Sequence, residues 1–254
     1  MKTRGKARLK LSLALFLLLL FWLGTSRSFN DMAFLWMVLL VILSTLVIGR
    51  NVRKLDKRDC LIGLVLGCLV ALSSPFLAVI TILTYLASCL LLKDKEILQE
   101  LLCPNHKQKF YQDMVYGLIP GLLLGGVNLF LAKIAMPEVN IGLPASFSFQ
   151  PILNAIRAGV FEETAFTLFF FAFAVGLTKK EKFSKGENFL VYLIMIVPHT
   201  LVHFTRQEFE LGNVLVLSFL FGLPFAFLLR KRGLVSAVMA HIIVDFIRFL
   251  LLGL

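Results

Sequence analysis

Residues 159–177 read GVFEETAFTLFFFAFAVGL, and in this stretch Glu162 and Glu163 stand at the head of a long apolar run. A run of this length and composition is typical of a helix that crosses a membrane. A charged side chain in a membrane helix costs at least about 2–3 kcal/mol, and for that reason such residues usually mark functional sites. The two carboxylates therefore predict a site in the membrane, and polar residues on neighbouring helices are candidate members of it.

The whole chain has the composition of an integral membrane protein. Of its 254 residues, 59% are hydrophobic, and the mean hydropathy is +0.88; soluble domains are roughly half apolar. The net charge is +11, but Lys and Arg occur in short clusters between apolar runs. A nucleic-acid-binding domain would gather them on one folded surface with interleaved aromatic residues. The charge therefore indicates orientation in the lipid bilayer and no nucleic-acid partner.

The apolar runs predict an all-α fold, a polytopic transmembrane helical bundle of about eight or nine membrane helices. With nine crossings, every Lys/Arg cluster falls on one side of the membrane. Eight crossings remain if the leader, Leu11–Leu23, is a cleaved signal peptide; an uncleaved helix is favoured because no A-x-A cleavage pattern follows it. We expect a multi-pass protein of the cell membrane.

Three segments before the glutamate pair carry more specific expectations. The run Leu61–Leu92 is too long for one straight span, contains Pro75 and has basic residues on both sides, which favours a hairpin of two short helices over one kinked helix. Residues 94–108 fit an amphipathic helix at the membrane interface. In the span near 114–134, three glycines would permit close contact with another helix: Gly121, Gly125 and Gly126.

Three of the four histidines lie in the last third of the chain, in or beside apolar segments. His199 and His203 are four residues apart and share one face of a helix, and so do His241 and Asp245. An interhelical hydrogen bond would explain any one of these residues alone. Together with the glutamate pair, they predict one polar site shared by three helices.

Such a site can hydrolyse an amide bond by two routes. A glutamate beside imidazole can take a proton from water and return it to the leaving amine, while a second imidazole stabilises the oxyanion. Glutamate with two or three histidines is also a zinc ligand set with a position left for water. A serine or cysteine nucleophile is less supported, because no GxSxG motif is present and no cysteine lies near these helices in sequence.

The last hundred residues resemble the CAAX protease and bacteriocin-processing (CPBP) family of intramembrane peptidases, relatives of the type II CAAX prenyl endopeptidases. That family carries the motifs EExxxR, FxxxH, and HxxxN or HxxxD on separate helices. The corresponding segments here are Glu162-Glu163-Thr164-Ala165-Phe166-Thr167, His199-Thr200-Leu201-Val202-His203 and His241-Ile242-Ile243-Val244-Asp245. Each motif is weak alone, whereas their order and spacing are fairly specific.

The resemblance implies catalytic roles for Glu162, Glu163, His203, His241 and Asp245. Glu162 would activate water with His203 as its partner, and His241 with Asp245 would hold the oxyanion or complete a metal site. A zinc ion or another divalent metal would be held by Glu162, His203 and His241, with His199 as an additional ligand. The alternative is a metal-free mechanism that depends on the glutamate.

Two positions depart from the family pattern. Thr167 stands in place of the arginine that would pair with Glu163, which leaves Glu163 protonated or paired with Arg157 or Arg206. His199 stands in place of phenylalanine, either as a third ligand or as the group that orients Glu163.

From these residues we predict an intramembrane peptidase that cleaves a small protein or peptide near the membrane surface. The alternative is a catalytically silent membrane scaffold or a bacteriocin self-immunity protein, which the altered motifs keep open. A transporter that relays protons is a third hypothesis, but its matching half-repeats are not found in the sequence. We expect a single membrane domain, with family-variable helices in residues 1–149 and the catalytic helices in residues 150–254.

Overall fold

The computed structural model describes residues 2–26, 32–93, 95–96, 101–102, 107–139, 141–143, 148–205 and 207–253. In this part of the chain, nine helices have described bounds and no strand occurs, which confirms the predicted all-α polytopic bundle. The helices are α1 (Lys2–Thr25), α2 (Met32–Asn51), α3 (Lys57–Ala71), α4 (Pro75–Leu92), α5 (Lys107–Ala135), α6 (Gln150–Thr178), α7 (Lys185–Leu201), α8 (Leu211–Arg232) and α9 (Leu234–Leu252).

Seven of these helices are long and apolar enough to cross a membrane, and the chain is a multi-pass membrane protein. The two others are α3, with 15 residues, and α7, with 17 residues. At 1.5 Å per residue they measure about 22 and 26 Å, less than the roughly 30 Å of the hydrocarbon core. The expected count of eight or nine thus includes two helices that are short for a full crossing.

Helices α3 and α4 form the predicted hairpin. Asp56 caps α3 in a reciprocal capping box with Asp59, and Ser74 caps α4 just before Pro75. At the far end of α4, Lys93 Nζ lies 2.6 Å from Asp56 Oδ2 and 2.9 Å from Asp59 Oδ2. The start of α3 and the end of α4 therefore lie side by side, and one kinked helix is excluded.

Contacts between helix ends agree with the predicted alternation of the chain across the membrane. The ends that carry Lys/Arg clusters form one face of the bundle, called here the basic face, and the remaining ends form the opposite face. Contacts at the basic face are Lys10 Nζ to Leu177 O (2.9 Å), Lys95 Nζ to Glu181 Oε1 (3.6 Å) and Arg230 Nη1 to Asn188 Oδ1 (2.5 Å). Contacts at the opposite face are Trp22 Nε1 to Phe204 O (3.2 Å), Ser73 Oγ to Asn154 Oδ1 (3.1 Å) and Gly142 N to Leu251 O (3.1 Å).

Helix α6 is the centre of the bundle. It contacts α3, α4, α7, α8 and α9, so most of its surface is covered by protein. The side chains of Phe166, Phe169, Phe170 and Phe171 have no exposed surface. The stretch of sequence that contains the glutamate pair is therefore the most enclosed part of the chain, and residues on its neighbours can reach the pair.

Two of the three glycines predicted to allow close helix contact do so. A Cβ atom on Gly121 would lie 2.9 Å from the backbone oxygen of Ala240 in α9, and one on Gly125 would lie 2.5 Å from Ile247. The prediction is wrong for Gly126, because nothing lies within 4 Å of its Cβ position. It points away from α9 because adjacent residues on a helix diverge by about 100°.

The interfacial helix predicted for residues 94–108 lies largely outside the described residues, as does Arg206.

Candidate active site

The glutamate pair lies where α6 changes from α-helical to π-helical geometry. The π-helical turn spans Glu163–Leu168, and all six of its residues are buried. Turns of this kind widen the helix locally and occur frequently at functional sites. A second π-helical turn, Ser218–Gly222, interrupts α8 on the other side of the site. Neither turn was predictable from the sequence.

Gly159, one turn before the glutamate pair, lets α6 approach α9 closely. A Cβ atom there would lie 2.6 Å from Ile242 Cγ1 and 2.9 Å from the backbone nitrogen of the same residue. Real Cβ atoms essentially never come this near, so only glycine fits. The close approach brings the glutamate pair on α6 to His241 on α9.

Glu162 is the point on which the histidines converge. Its Oε2 atom lies 3.1 Å from His199 Nε2, 3.5 Å from His203 Nε2 and 3.8 Å from His241 Nε2. The Glu162 side chain is 17% exposed, whereas the His203 side chain is 43% exposed. The structure thus brings Glu162 together with all three histidines from the last third of the chain, and His203 is the most open of them.

The outer nitrogens of two of these rings are held by second partners. His241 Nδ1 lies 2.7 Å from Glu163 Oε1, and His199 Nδ1 lies 3.4 Å from Thr167 Oγ1. Because a carboxylate only accepts hydrogen bonds, Nδ1 of His241 carries the hydrogen when Glu163 is ionised, and Nε2 is left to face Glu162. Outer partners of this kind fix the tautomer and the orientation of a ring.

These contacts exclude two of the partners that the sequence left open for Glu163. Glu163 meets His241, so neither Arg157 nor His199 is its partner. The hypothesis that His199 orients Glu163 is therefore wrong: His199 contacts Glu162 and Thr167, because α7 meets α6 on the side of Glu162. The second oxygen of Glu163 is buried without a partner among the described residues.

Asp245 completes the cluster from the next turn of α9. Its Oδ2 atom lies 3.5 Å from His241 Nε2, and both side chains are about nine-tenths buried. Residues four apart on a helix are neighbours, which is the relation that the sequence predicted.

Aromatic rings stack on two of the imidazoles, and no pattern in the sequence marks these rings. Phe225 stacks on His241 with ring centroids 4.6 Å apart and an angle of 14° between the planes, and Phe166 stacks on His199 at 6.0 Å and 10°. Both phenylalanines are completely or almost completely buried. They lie in apolar runs rich in phenylalanine, where no pattern separates a ring that contacts the site from one that fills the core.

Two cavities meet at Glu162 and His203. One has a volume of about 480 Å³, and its polar wall includes Arg157, His241, Asp245 and Arg248. The other has a volume of about 340 Å³ and is otherwise lined by apolar side chains of α2, α4, α6 and the end of α7. The carboxylate of Glu162 thus faces a polar space and an apolar space at once.

The donor set fits a metal ion. In the described residues, Glu162, His199 and His241 each offer one ligand atom, and these atoms lie within 4.8 Å of one another. Two imidazoles with a carboxylate suit zinc, and both imidazoles have the second partner that metal ligands normally have. Of the predicted ligands, Glu162, His241 and the additional ligand His199 belong to this group, whereas His203 does not. His203 lies beside Glu162 instead.

Comparison with protein families identifies the family that part of the chain resembles. Residues 144–247 match the family described as type II CAAX prenyl endopeptidase Rce1-like. The match includes all three motifs, so the resemblance predicted from them is confirmed for this part of the chain. No curated protein and no solved structure matches.

Proposed function

We propose, from the premise that residues 144–247 are Rce1-like, that the protein is an intramembrane endopeptidase which hydrolyses a peptide bond near the membrane surface. The observation that carries this proposal is the convergence of three imidazole Nε2 atoms within 3.8 Å of one carboxylate oxygen of Glu162. The catalytic unit would be residues 150–254, with residues 1–149 enclosing it.

Glu162 is the proposed general base. Its carboxylate borders both cavities, so a water molecule in either can donate a hydrogen bond to it. As that water attacks the carbonyl carbon of the substrate, Glu162 takes its proton. Glu162 or His203 then delivers a proton to the nitrogen as the C–N bond breaks. General acid–base catalysis of this kind contributes about 10²–10⁴-fold to a rate.

His241 is the proposed donor to the developing oxyanion. Asp245 lies beside its Nε2 atom and Glu163 lies 2.7 Å from its Nδ1 atom, so each ring nitrogen has a carboxylate that can accept a hydrogen bond. Its stack on Phe225 fixes the direction in which Nε2–H points. A single preorganised donor to an oxyanion is worth about 10²–10³-fold in kcat.

A metal ion would be held by Glu162, His199 and His241. When bound there, zinc would polarise the substrate carbonyl and lower the pKa of a water molecule towards neutrality. Thr167 and Glu163 would orient the two histidine rings for this metal. Phe166 and Phe225 stack on the rings and give them an apolar environment.

The proposed substrate is a peptide with an apolar segment. The second cavity is lined by Ala33, Met37, Leu77, Phe161 and Phe166 in addition to the site residues, and it can receive apolar side chains beside Glu162. The polar cavity on the other side of Glu162 can receive the more hydrophilic part of the chain. A substrate with one apolar and one polar side fits a site at the edge of the bilayer.

The experiment uses mass spectrometry to identify the peptides released from four membrane samples. The samples contain the wild-type protein, Glu162→Ala, His203→Ala or Glu210→Ala. Glu210 is the matched control, because it is an exposed acid outside the site whose carboxylate accepts a hydrogen bond from Asn213. We expect wild type and Glu210→Ala to release the same peptides and the two site variants to release none of them. If both site variants match wild type, the peptidase proposal is wrong and the silent scaffold is favoured.

A further inference from the structure

The surroundings of His203 differ from those of the other two histidines in the site. His199 and His241 lie within helices, and each ring has a second hydrogen-bond partner and a stacked phenylalanine. His203 lies two residues beyond the end of α7, and its side chain is 43% exposed. In the described part of the chain, its ring has no hydrogen-bond partner besides Glu162. The position of this ring therefore depends on the backbone that follows α7.

That backbone, the connection between α7 and α8 at residues 202–210, borders both cavities. Phe204 lines the polar cavity, Val202 lines the apolar cavity, and His203 lines both. The middle of the connection is a turn bonded to itself, because the backbone nitrogen and Oγ1 of Thr205 donate to Glu208 Oε2 over 3.2 and 2.8 Å. These bonds shape the turn, but they do not fix its position relative to Glu162.

Trp22 of α1 contacts this connection at two points. Its Nε1 atom donates a hydrogen bond to the backbone oxygen of Phe204, the residue after His203, over 3.2 Å. Its ring packs against Phe209 with ring centroids 4.9 Å apart. The Trp22 side chain is only 6% exposed, and it lines neither cavity. One side chain thus contacts both halves of the connection without entering the space proposed for the substrate.

Helix α1 gives Trp22 a firm support. It packs along α7, the helix that carries His199. Leu11 and Leu18 are buried in the core, and Lys10 Nζ donates a hydrogen bond to the backbone oxygen of Leu177 over 2.9 Å. Helix α1 lies outside the family match at residues 144–247. Trp22 therefore connects a helix outside that match to the second motif.

We infer that Trp22 is a positioning residue that keeps His203 within reach of Glu162. Because His203 is a proposed proton donor, the inference rests on the proposed function. The distance from His203 Nε2 to Glu162 Oε2 is 3.5 Å, at the upper limit for a hydrogen bond, so a small displacement of the connection separates the two groups. Misplacement of a catalytic group by about 1 Å can cost about 10²-fold in rate.

The test follows the connection itself and does not need cleavage. Hydrogen–deuterium exchange is measured by mass spectrometry on wild type, Trp22→Phe and Trp22→Leu in lipid nanodiscs. Phenylalanine keeps a ring beside Phe209 and removes the donor, whereas leucine removes both. We expect exchange in residues 202–210 to be about 2–10-fold faster in Trp22→Phe, the factor that one neutral hydrogen bond gives, and faster still in Trp22→Leu. Exchange in α9 should not change.

A second measurement reports on the histidine rings. Diethyl pyrocarbonate modifies accessible neutral imidazole, and mass spectrometry gives the rate at each histidine. Modification of His203 should accelerate in the order wild type, Trp22→Phe, Trp22→Leu, while the buried rings of His199 and His241 keep their wild-type rates. If Trp22 only stabilised the whole fold, all three rates would rise together, and so would exchange in every helix.

Trp36→Phe is the matched control for both measurements. Trp36 of α2 is completely buried, and its Nε1 atom has no hydrogen-bond partner among the described residues. The same substitution therefore removes no hydrogen bond, and exchange in residues 202–210 should stay at the wild-type rate. Thermal unfolding of each variant shows that it is folded.

Wild-type exchange and modification in both Trp22 variants would overturn the inference, and so would an increase spread over the whole bundle. If the wild type cleaves peptides, kcat of Trp22→Phe should also fall several-fold with little change in KM, because Trp22 lines neither cavity. Faster exchange with a wild-type kcat would overturn the positioning role and leave the peptidase standing. If the wild type does not cleave, the peptidase proposal fails, while changes confined to residues 202–210 and His203 still support the contact assigned to Trp22.

Discussion

The contact between Glu163 and His241 should affect the rate of cleavage, although Glu162 and not Glu163 is the proposed base for the attacking water. The perturbation is Glu163→Gln, which keeps the shape of the side chain and removes its charge. In the wild type, Oε1 accepts a hydrogen bond from Nδ1 over 2.7 Å, and both side chains are buried. Glutamine offers only a neutral acceptor, which binds the N–H group of the ring less strongly than a carboxylate does.

The magnitude follows from the kind of bond that is lost. A hydrogen bond to a charged group is worth about 1.5–3 kcal/mol, and each 1.36 kcal/mol is tenfold in rate. We therefore expect kcat to fall by about 10–100-fold, the range typical of outer partners of active-site histidines. KM should change little, because Glu163 lines neither of the two cavities at Glu162.

The assay uses purified protein in liposomes. Its substrate is the protein from which one of the peptides identified by mass spectrometry was released, and kcat and KM are determined separately. Thr164→Val is the matched control: Thr164 is the next residue, equally buried, and its hydroxyl has no partner in the described part of the chain. It should alter kcat by less than about twofold, since no hydrogen bond is lost. A Glu163→Gln protein with wild-type kcat would refute the role assigned to this contact.

Three further changes test the surrounding structure. Thr167→Val removes the hydroxyl that lies 3.4 Å from His199 Nδ1. It should lower kcat by about 2–10-fold, because a neutral hydrogen bond is lost, and change the unfolding temperature by no more than a few degrees. An unchanged kcat would show that Thr167 is not a functional partner of His199. Gly159→Ala places a Cβ atom 2.6 Å from Ile242, which should cost about 1–3 kcal/mol of stability and lower the rate of cleavage. In the control Gly126→Ala, the added Cβ atom has nothing within 4 Å, so stability and rate should not change. Equal effects of the two substitutions would contradict the close approach of α6 and α9. Lys93→Met breaks the contacts that close the hairpin, and thermal unfolding in detergent should show a loss of about 1–3 kcal/mol against the exposed control Lys185→Met. The hydrogen bond from Lys93 lowers the pKa of Asp56 below its ordinary 3.8, so the stability that this pair contributes is present above pH 3.8 and is lost as the pH falls through the lowered pKa. Below pH 3.8, acid should therefore destabilise Lys93→Met less than it destabilises the wild type. Identical plots of stability against pH for the two proteins would contradict the pairing.

The sequence predicted which polar residues would meet. Intramembrane carboxylates and histidines are rare because they are costly, so Glu162, His203 and His241 stand out without any structure. The four-residue spacing of His241 and Asp245 placed them on one face of a helix, and they are 3.5 Å apart. The hairpin of α3 and α4 followed from charge on both sides of a long apolar run, which only an even number of crossings accommodates.

The sequence did not predict which atom meets which. The pairing of Glu163 with His241 depends on the relative position of α6 and α9 along their axes, and contacts such as Gly159 against Ile242 determine that position. The pairing of His199 with Glu162 depends on which side of α6 the helix α7 meets. The π-helical turns shift the residues after them by a fraction of a turn, and no simple pattern marks them. The missing arginine suggested a Glu163 that is protonated or paired with Arg157 or Arg206, whereas the helix register supplies His241 of α9 as its partner.

The stacked phenylalanines were not predictable for a different reason. A membrane helix is apolar on every side that meets lipid or another helix, so the contrast between buried and exposed faces that marks a soluble helix is weak. Phe225 and Phe166 contact the site, and Phe169 and Phe171 fill the core, with the same residue type in similar surroundings.

The central claim is that the carboxylate of Glu162 activates water for hydrolysis of a peptide bond, and its most direct test is the ratio of kcat/KM between wild type and Glu162→Gln in the same liposomes. Glutamine preserves the size of the side chain and can still meet the three histidines, but it cannot take a proton. We expect kcat/KM to fall by at least about 10²-fold. A Glu162→Gln protein within about twofold of wild type would contradict it.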